Sequence, residues 1–490
     1  MNTKDLIWVK IQDGKCLHKA IVCLLIVAIG TLTGWVACKN SKLILLFIGT
    51  LVLLAALLLS FGRPAKLENV QKVFLYSTII AGFIGPAFLE FSLGHIHIFP
   101  YRILLPLTWF VLVIEVLTNK GSLATSHIRV RLYLRFFGIW LAYAILSVGW
   151  AFSKNDAMRD IVFLFMGVSV IYLVVYYFRD YRDLRRFHHL WLIVFGALLI
   201  LGVWEHLTWQ HLPISRVYLE SRPDLRALPT SVFHNPNDYA TYLALSIPFA
   251  ISMVRYTQSV FSRLLSLAGI AIGLYFVVIV GSRANILAIL LEIAFLFLLL
   301  TNVEQKIKFI IVTVICSTVI LFLLPGIGVS LFSRISREVM SLAELSSGSM
   351  GVRINLVRNG LIFFRSSIGF GVGAGNAECW MRKFAIYDTA GVLNLHNWWV
   401  EILVNYGIVI FLGYAVMYIG VMINLLRIWR RATEIEERMI AESLLLSLVG
   451  FMIGSVSSSS MMAFNPQWLL LAFALAFLNT YRNNYRRAKA

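Results

Sequence analysis

Arg353-Ile354-Asn355-Leu356-Val357-Arg358-Asn359-Gly360, Gly369-Phe370-Gly371-Val372-Gly373-Ala374-Gly375-Asn376 and Leu395-His396-Asn397-Trp398-Trp399 belong to one hydrophilic island, residues 326–397, in an otherwise apolar chain. The island carries Arg334, Arg337, Arg353, Arg358, Arg365, Arg382 and Lys383 against Glu338, Glu344, Glu378 and Asp388. Apolar runs long enough to cross a bilayer flank it on both sides. That arrangement fixes the fold class as helices in lipid with one long loop outside, and it points to the loop as the place of the chemistry.

Composition agrees. Of 490 residues, 59% are hydrophobic and 14% charged, with a mean hydropathy of +0.81; soluble domains carry about 25% charged residues. The net charge of +19 would suit a nucleic acid. The charges fall instead in small clusters at the ends of apolar runs, as membrane topology requires, which argues against a nucleic-acid partner. Cys16, Cys23, Cys38, Cys316 and Cys379 have no paired spacing, so neither a disulfide framework nor a zinc site is implied. No cleavable signal peptide is expected, because the first apolar run begins near Ile21 after a basic tail and another follows at once.

Apolar runs of membrane-crossing length stand near 21–38, 43–62, 73–94, 103–118, 132–151, 161–178, 190–207, 238–254, 264–281, 284–302, 309–325, 398–425, 443–463 and 467–481. The expected fold is therefore an all-α polytopic membrane protein of about fourteen transmembrane helices, seated in the lipid bilayer. With the amino terminus inside, inward segments hold 27 of the 43 Lys and Arg, and the short outward loops hold 5. The positive-inside rule then puts both termini in the cytoplasm and both long loops outside. Four regions follow: amino-terminal helices at 1–207; central helices at 208–325 with the outward loop 208–237 and the Gly281-Ser282-Arg283 junction; the large extracytoplasmic loop 326–397; and carboxyl-terminal helices with a basic cytoplasmic tail at 398–490.

The two long loops keep arginines on the side where they are unexpected. Loop 208–237 holds Arg216, Arg222 and Arg226. Such a surplus of guanidinium suits an anionic ligand, because Arg grips phosphate bidentately. Arg334, Arg337 and Arg382 read as interfacial charges at lipid headgroups. Arg283 lies between two apolar spans with almost no loop around it, so it should face a polar cavity. Arg353 and Arg358, five apart, would point to different faces of one helix. The alternating glycines at 369–375 either expose N–H groups to an anion or form a packed turn; no Walker or dinucleotide pattern accompanies them. His396, at the outer mouth of a span, can take a proton near neutral pH. Trp398 and Trp399 beside it read as interface anchors, or as faces on which sugars stack. His95 and His97 lack a third ligand nearby, so no metal site is expected there. No Asp-x-Asp, His-Glu-x-x-His or Gly-x-Ser-x-Gly occurs.

Phe233-His234-Asn235-Pro236-Asn237 opens a span that contains Pro248, Gly281-Ser282-Arg283 follows, then Arg353 upstream of Gly371 to Asn376, then His396-Asn397 with Gly407 beyond. In this order and spacing, over about residues 230–425, the chain resembles the O-antigen ligase and O-antigen polymerase superfamily of bacterial envelope enzymes. The resemblance implies a metal-independent, inverting glycosyltransferase without a cofactor, on a helical membrane fold in the bacterial cytoplasmic membrane. Its donor would be an undecaprenyl-pyrophosphate-linked glycan, its acceptor a hydroxyl on the extracytoplasmic face, and its partners other envelope-polysaccharide assembly proteins. By motif, Arg283 and Arg353 would hold the pyrophosphate and His396 would serve as base or orienter of the acceptor hydroxyl. Arg358 is a second pyrophosphate candidate, since it begins an Arg-x10-Gly spacing to Gly369. Asn237, Asn397, Trp398 and Trp399 are the expected acceptor and sugar contacts. Val357 stands where many members have tryptophan.

The physics agrees with that assignment: guanidinium groups stabilise charge developing on a leaving diphosphate, and a leaving group this good needs no paired carboxylates. Polymerisation of repeat units is the first reading, and the basic loops would suit an anionic polymer such as a teichuronic-acid-like or capsular glycan. A ligase moving glycan to another acceptor is the second. A transporter is the third, although its polar residues should lie near mid-membrane and between repeats.

Overall fold

A computed structural model describes residues 64–93, 96–118, 125–308, 349–459 and 461–489, with single positions at 311 and 333. The spans expected at 21–38 and 43–62 lie outside the described residues, as do nearly all of the span at 309–325 and the island up to 348. The chain divides into two compact units, Met1–Ser77 with Leu107–Ser122, and Thr78–Pro106 with Leu123–Ala490. The first unit is described over parts of two helices, residues 64–77 of α1 (Pro64–Ile84) and 107–118 of α2 (Pro100–Thr118).

The second unit holds the remainder. After α1 comes a hairpin, β1 (Phe91–Leu93) paired antiparallel with β2 (Ile96–Ile98), and after α2 come α3 (Arg131–Ser147), α4 (Lys154–Tyr177), α5 (Tyr181–Thr208) and the short α6 (Pro223–Arg226). Then follow α7 (Pro236–Tyr256), α8 (Val260–Val280), α9 (Arg283–Leu299), α10 (Ser349–Ser366), α11 (Ala377–Phe384), α12 (Trp398–Arg431), α13 (Ile435–Gly454) and α14 (Asn465–Lys489). The protein is a polytopic helical membrane protein: among the described residues α2, α4, α5, α8 and α12 are each long and apolar enough to cross a bilayer.

Three boundaries depart from the sequence reading. The span expected at 73–94 ends at Ile84, where Gly85 takes φ +60 and Pro86 cannot continue the helix; the residues beyond turn into the hairpin, so the fold is not purely α. The span expected at 443–463 stops at Gly454, and Ser455 to Ser459 form a turn beyond it. Within the described part of the island, α10 and α11 replace an open loop.

Helices α7 and α13 pack along each other at the centre, with α8 on α7 and α9 on α13, while α14 lies on α4 and α12 on α13. Every residue of α13 from Met439 to Phe451 is buried. Lipid is as apolar as leucine, so close packing and interhelical hydrogen bonds hold such a bundle. The Ser447 hydroxyl donates to the Leu245 carbonyl at 2.7 Å, tying α13 to α7. Aromatic rings fill the other side: Trp140 has Tyr406, Tyr414, Trp468 and Trp398 at centroid distances of 5.5, 5.6, 6.0 and 6.1 Å. Each such contact is worth about 1 kcal/mol beyond burial.

The glycine run is a packed turn laid against a break in α12. Gly407 interrupts that helix with φ 76 and ψ −177, and the freed groups pair with the run. The N–H groups of Val372 and Gly373 donate to the carbonyls of Val404 and Asn405 at 2.8 and 3.1 Å, and Ile408 N–H donates to the Gly369 carbonyl at 2.9 Å. Gly371 N–H goes to Ser367 Oγ and Ala374 N–H to Ser147 Oγ, each at 3.0 Å. These donors are spent on protein, so of the two readings of the run the turn is the one observed.

Candidate active site

Four chain segments converge at one end of the second unit: the first turn of α7, the junction between α8 and α9, the turn after α13, and the entry to α12. Each is placed by local chemistry. Asn235 caps α7 by accepting the Asn237 N–H at 3.0 Å, with Pro236 in the first helical position. Gly281 ends α8 with φ 68, and the next helix starts two residues later, which puts Arg283 in the first turn of α9.

Small polar side chains knit these segments together. Ser282 and Ser457 share a hydroxyl–hydroxyl bond of 2.8 Å, and the Asn285 amide donates to Ser282 Oγ at 2.9 Å and to Thr241 Oγ1 at 3.1 Å. Ser458 Oγ donates to Thr241 Oγ1 at 2.9 Å, and Trp398 N–H donates to the Ser455 carbonyl at 3.2 Å.

His396 completes the group. Its backbone is left-handed, with φ 48, and its N–H donates to Asn394 Oδ1 at 2.8 Å. A left-handed L-residue costs about 1–2 kcal/mol, so the surroundings must impose the conformation. Its Nδ1 lies 3.1 Å from the Ser458 carbonyl oxygen, which can only accept, so Nδ1 carries the hydrogen and Nε2 is the basic nitrogen. Partial burial, then the charge of Arg353, with a smaller push from Arg216, hold the imidazole below its ordinary pKa. The ring thus stays neutral and able to accept a proton.

Arg283, Arg353 and Arg358 border one cavity of about 670 Å³, together with Asn237, Ser282 and Val357. Arg353 and Arg358 therefore share a cleft despite their spacing of five. Burial, then the nearby Arg283 charge, lowers the Arg353 pKa. Two guanidinium groups held together in a partly dry cleft repel one another, and an anion between them would relieve that repulsion. Arg358 is exposed, with its guanidinium 5.5 Å from the Tyr387 ring centroid.

The other expected contacts are placed differently. Asn397 caps α12, its side-chain oxygen accepting from the N–H groups of Trp399 and Val400 at 3.1 and 3.3 Å. Trp398 is 1% exposed and donates to Tyr414 Oη at 3.1 Å, inside the aromatic core rather than on a sugar-facing surface. Trp399 packs against Tyr414 and Tyr418 and donates to the Met452 carbonyl at 3.0 Å. A smaller cavity of about 180 Å³ is lined by Asp156, Asp160, Glu378, Glu401 and Asn394 among others. Among the described residues no three His, Cys, Asp or Glu side chains are grouped to hold a metal ion.

Sequence reasoning named Arg216 only as one of three arginines in a basic loop, and it missed Asp238 and the serine turn. Arg216 is held by the loop from 209 to 235, where its N–H donates to the His234 carbonyl at 2.9 Å. Glu205 anchors that loop by accepting the N–H groups of Thr230 and Ser231 at 2.7 and 2.6 Å. The four consecutive serines 457–460 stand in a segment read as membrane-buried, where a serine hydroxyl can bond back to its own helix, so they did not mark the turn.

Residues 268–415, which hold Arg283, Arg353 and His396, match the family described as O-antigen ligase. Over 433 residues, 85% of this chain and 86% of the other, the sequence is 31% identical to the teichuronic acid biosynthesis protein TuaE of Bacillus subtilis (strain 168). The chain belongs to the O-antigen ligase family. For a member of the O-antigen ligase family, the match places all three arginines of the cleft and the histidine beside it within the shared segment, while the first turn of α7 and the serine turn lie outside it.

Proposed function

We propose that the protein is an inverting membrane glycosyltransferase that polymerises undecaprenyl-pyrophosphate-linked oligosaccharide units into a cell-envelope polysaccharide. It would sit in the bacterial cytoplasmic membrane with about fourteen spans, both termini cytoplasmic, and the cleft on the extracytoplasmic face. The observation that carries this reading is the pairing of Arg283 and Arg353 in one cleft, with His396 nearby and its Nδ1 turned to the Ser458 carbonyl.

The chemistry follows from those positions. The acceptor hydroxyl gives its proton to His396 Nε2 as its oxygen bonds to the anomeric carbon. The bond from that carbon to the pyrophosphate oxygen breaks on the opposite face, and its electron pair leaves with the pyrophosphate. Arg283 and Arg353 stabilise the charge that develops there, and Arg358 extends the same basic wall. Asn237, which lines the cleft, would orient donor or acceptor hydroxyls. An anionic repeat unit is supported by the basic loops and by the relative named for teichuronic acid biosynthesis. Ligation to a separate acceptor is the second reading, favoured by the description of the matched family.

The deciding experiment supplies purified protein in detergent with a labelled undecaprenyl-pyrophosphate oligosaccharide in the presence of EDTA. Growth of chains on the same lipid is expected. Transfer only to an added second acceptor would make the protein a ligase, and loss of turnover on EDTA addition, restored by a divalent cation, would overturn the metal-independent mechanism. No reaction with any lipid-linked donor would remove both readings.

A further inference from the structure

We infer that Asp238 is a positioning residue that aligns the base with the pyrophosphate-binding arginines through the Ser457-Ser458-Ser459 turn. The inference rests on the reading of His396 as the base. Asp238 sits in the first turn of α7 and accepts the Ser459 N–H at 3.1 Å on Oδ1 and the Ser459 hydroxyl at 3.1 Å on Oδ2. The residue before it in the turn, Ser458, presents its carbonyl to His396 Nδ1 at 3.1 Å. The next residue back, Ser457, is bonded through its hydroxyl to Ser282, the neighbour of Arg283.

One short turn thus touches both arms of the site, and each contact has a different consequence. The Ser458 carbonyl sets which ring nitrogen of His396 is basic and how the ring is aimed. The Ser457 hydroxyl fixes the start of α9 and with it the base of the Arg283 side chain. The Ser457 N–H is bonded back to the Gly454 carbonyl at 3.0 Å, and beyond it Ser458 and Ser459 are held by contacts with other segments. The two donors at Ser459 converge on one carboxylate, an arrangement that fixes the tilt of the turn better than a single bond would. Asp238 touches neither proposed reacting group. Its effect passes through the turn, as a partner of a catalytic histidine acts by orienting the ring.

The test compares Asp238→Ala, Asp238→Asn and His396→Ala as full-length proteins in detergent, with kcat and KM measured for the lipid-linked donor. Asp238→Ala is expected to lose tenfold or more in kcat with KM within about twofold of wild type. Asp238→Asn keeps an oxygen that can accept from Ser459, and is expected to stay within about threefold in kcat. A wild-type kcat in Asp238→Ala, a change confined to KM, or an asparagine variant as impaired as the alanine one would each overturn the positioning role. His396→Ala separates the two claims: if it is inactive while Asp238→Ala is normal, the positioning inference alone fails, and if it is fully active the base assignment fails with it. Should Asp238→Ala not accumulate in the membrane, Asp238→Ser, whose hydroxyl stops short of Ser459, is read by the same criteria.

Discussion

Gly371 and Gly407 meet backbone to backbone: a Cβ placed on Gly371 would stand 2.6 Å from the amide nitrogen of Gly407. Neither side has a flexible side chain that could yield. Gly407 also holds φ 76 with ψ −177, a region open essentially to glycine alone. Gly407→Ala should therefore cost about 3 kcal/mol or more, seen as a lower melting temperature in detergent and reduced accumulation. Gly391→Ala is the control, because Gly391 has φ 76 with open space around it. It should lose only the strain, about 1 kcal/mol.

Arg353 should not tolerate lysine. A guanidinium presents a planar fork to two phosphate oxygens, and an ammonium presents a point charge. Arg353→Lys and Arg283→Ala should each lower transfer by about a hundredfold or more while the protein inserts normally. Wild-type turnover in either, measured on a lipid-linked donor, would take that residue out of the leaving-group site.

The acid limb of the pH–rate profile should lie below the ordinary imidazole value of about 6.5. Burial, then Arg353 and Arg216, disfavour the protonated ring, so His396 stays neutral at pH values where a free histidine is charged. Arg216→Gln removes one of those positive charges, making protonation easier. Its acid limb should move to higher pH with the plateau kept. A limb that moves to lower pH, or not at all, would show that His396 does not set it.

Trp398 and Trp399, adjacent in sequence, should part in their effects. Trp398 is 1% exposed in the aromatic cluster, so Trp398→Ala should cost about 3–5 kcal/mol and show as loss of folded protein. Trp399 is only half-buried, and Trp399→Ala should leave more folded protein behind. Thermal melts of the two variants give the comparison.

Charges out of place were the legible part of this chain. Arg283 at a span junction, Arg353 in the basic island and His396 at a span mouth all announce themselves, because an ionisable group next to lipid needs a reason. Serine does not. Its hydroxyl bonds back to its own helix, so residues 457–459 pass as part of a membrane span until the helix is seen to end at Gly454. Asp238 was hidden differently, since an acid in a first helical turn already has a reason in the helix dipole. The glycine run carried two meanings because its partner, the break at Gly407, lies far along the chain. The hairpin after α1 was invisible, as its strands are three residues each and apolar like their surroundings.

The serine turn also limits how the protein can be divided. The segment shared with the O-antigen ligase family, residues 268–415, contains Arg283, Arg353 and His396 yet neither Asp238 nor Ser457 to Ser459. A fragment cut to that segment would own every charged group of the proposed reaction and still lack the fastening that brings them into register. Portability therefore belongs to the whole second unit, and a graft of the motif-bearing stretch onto another helical scaffold would have to carry the starts of α7 and the end of α13 with it.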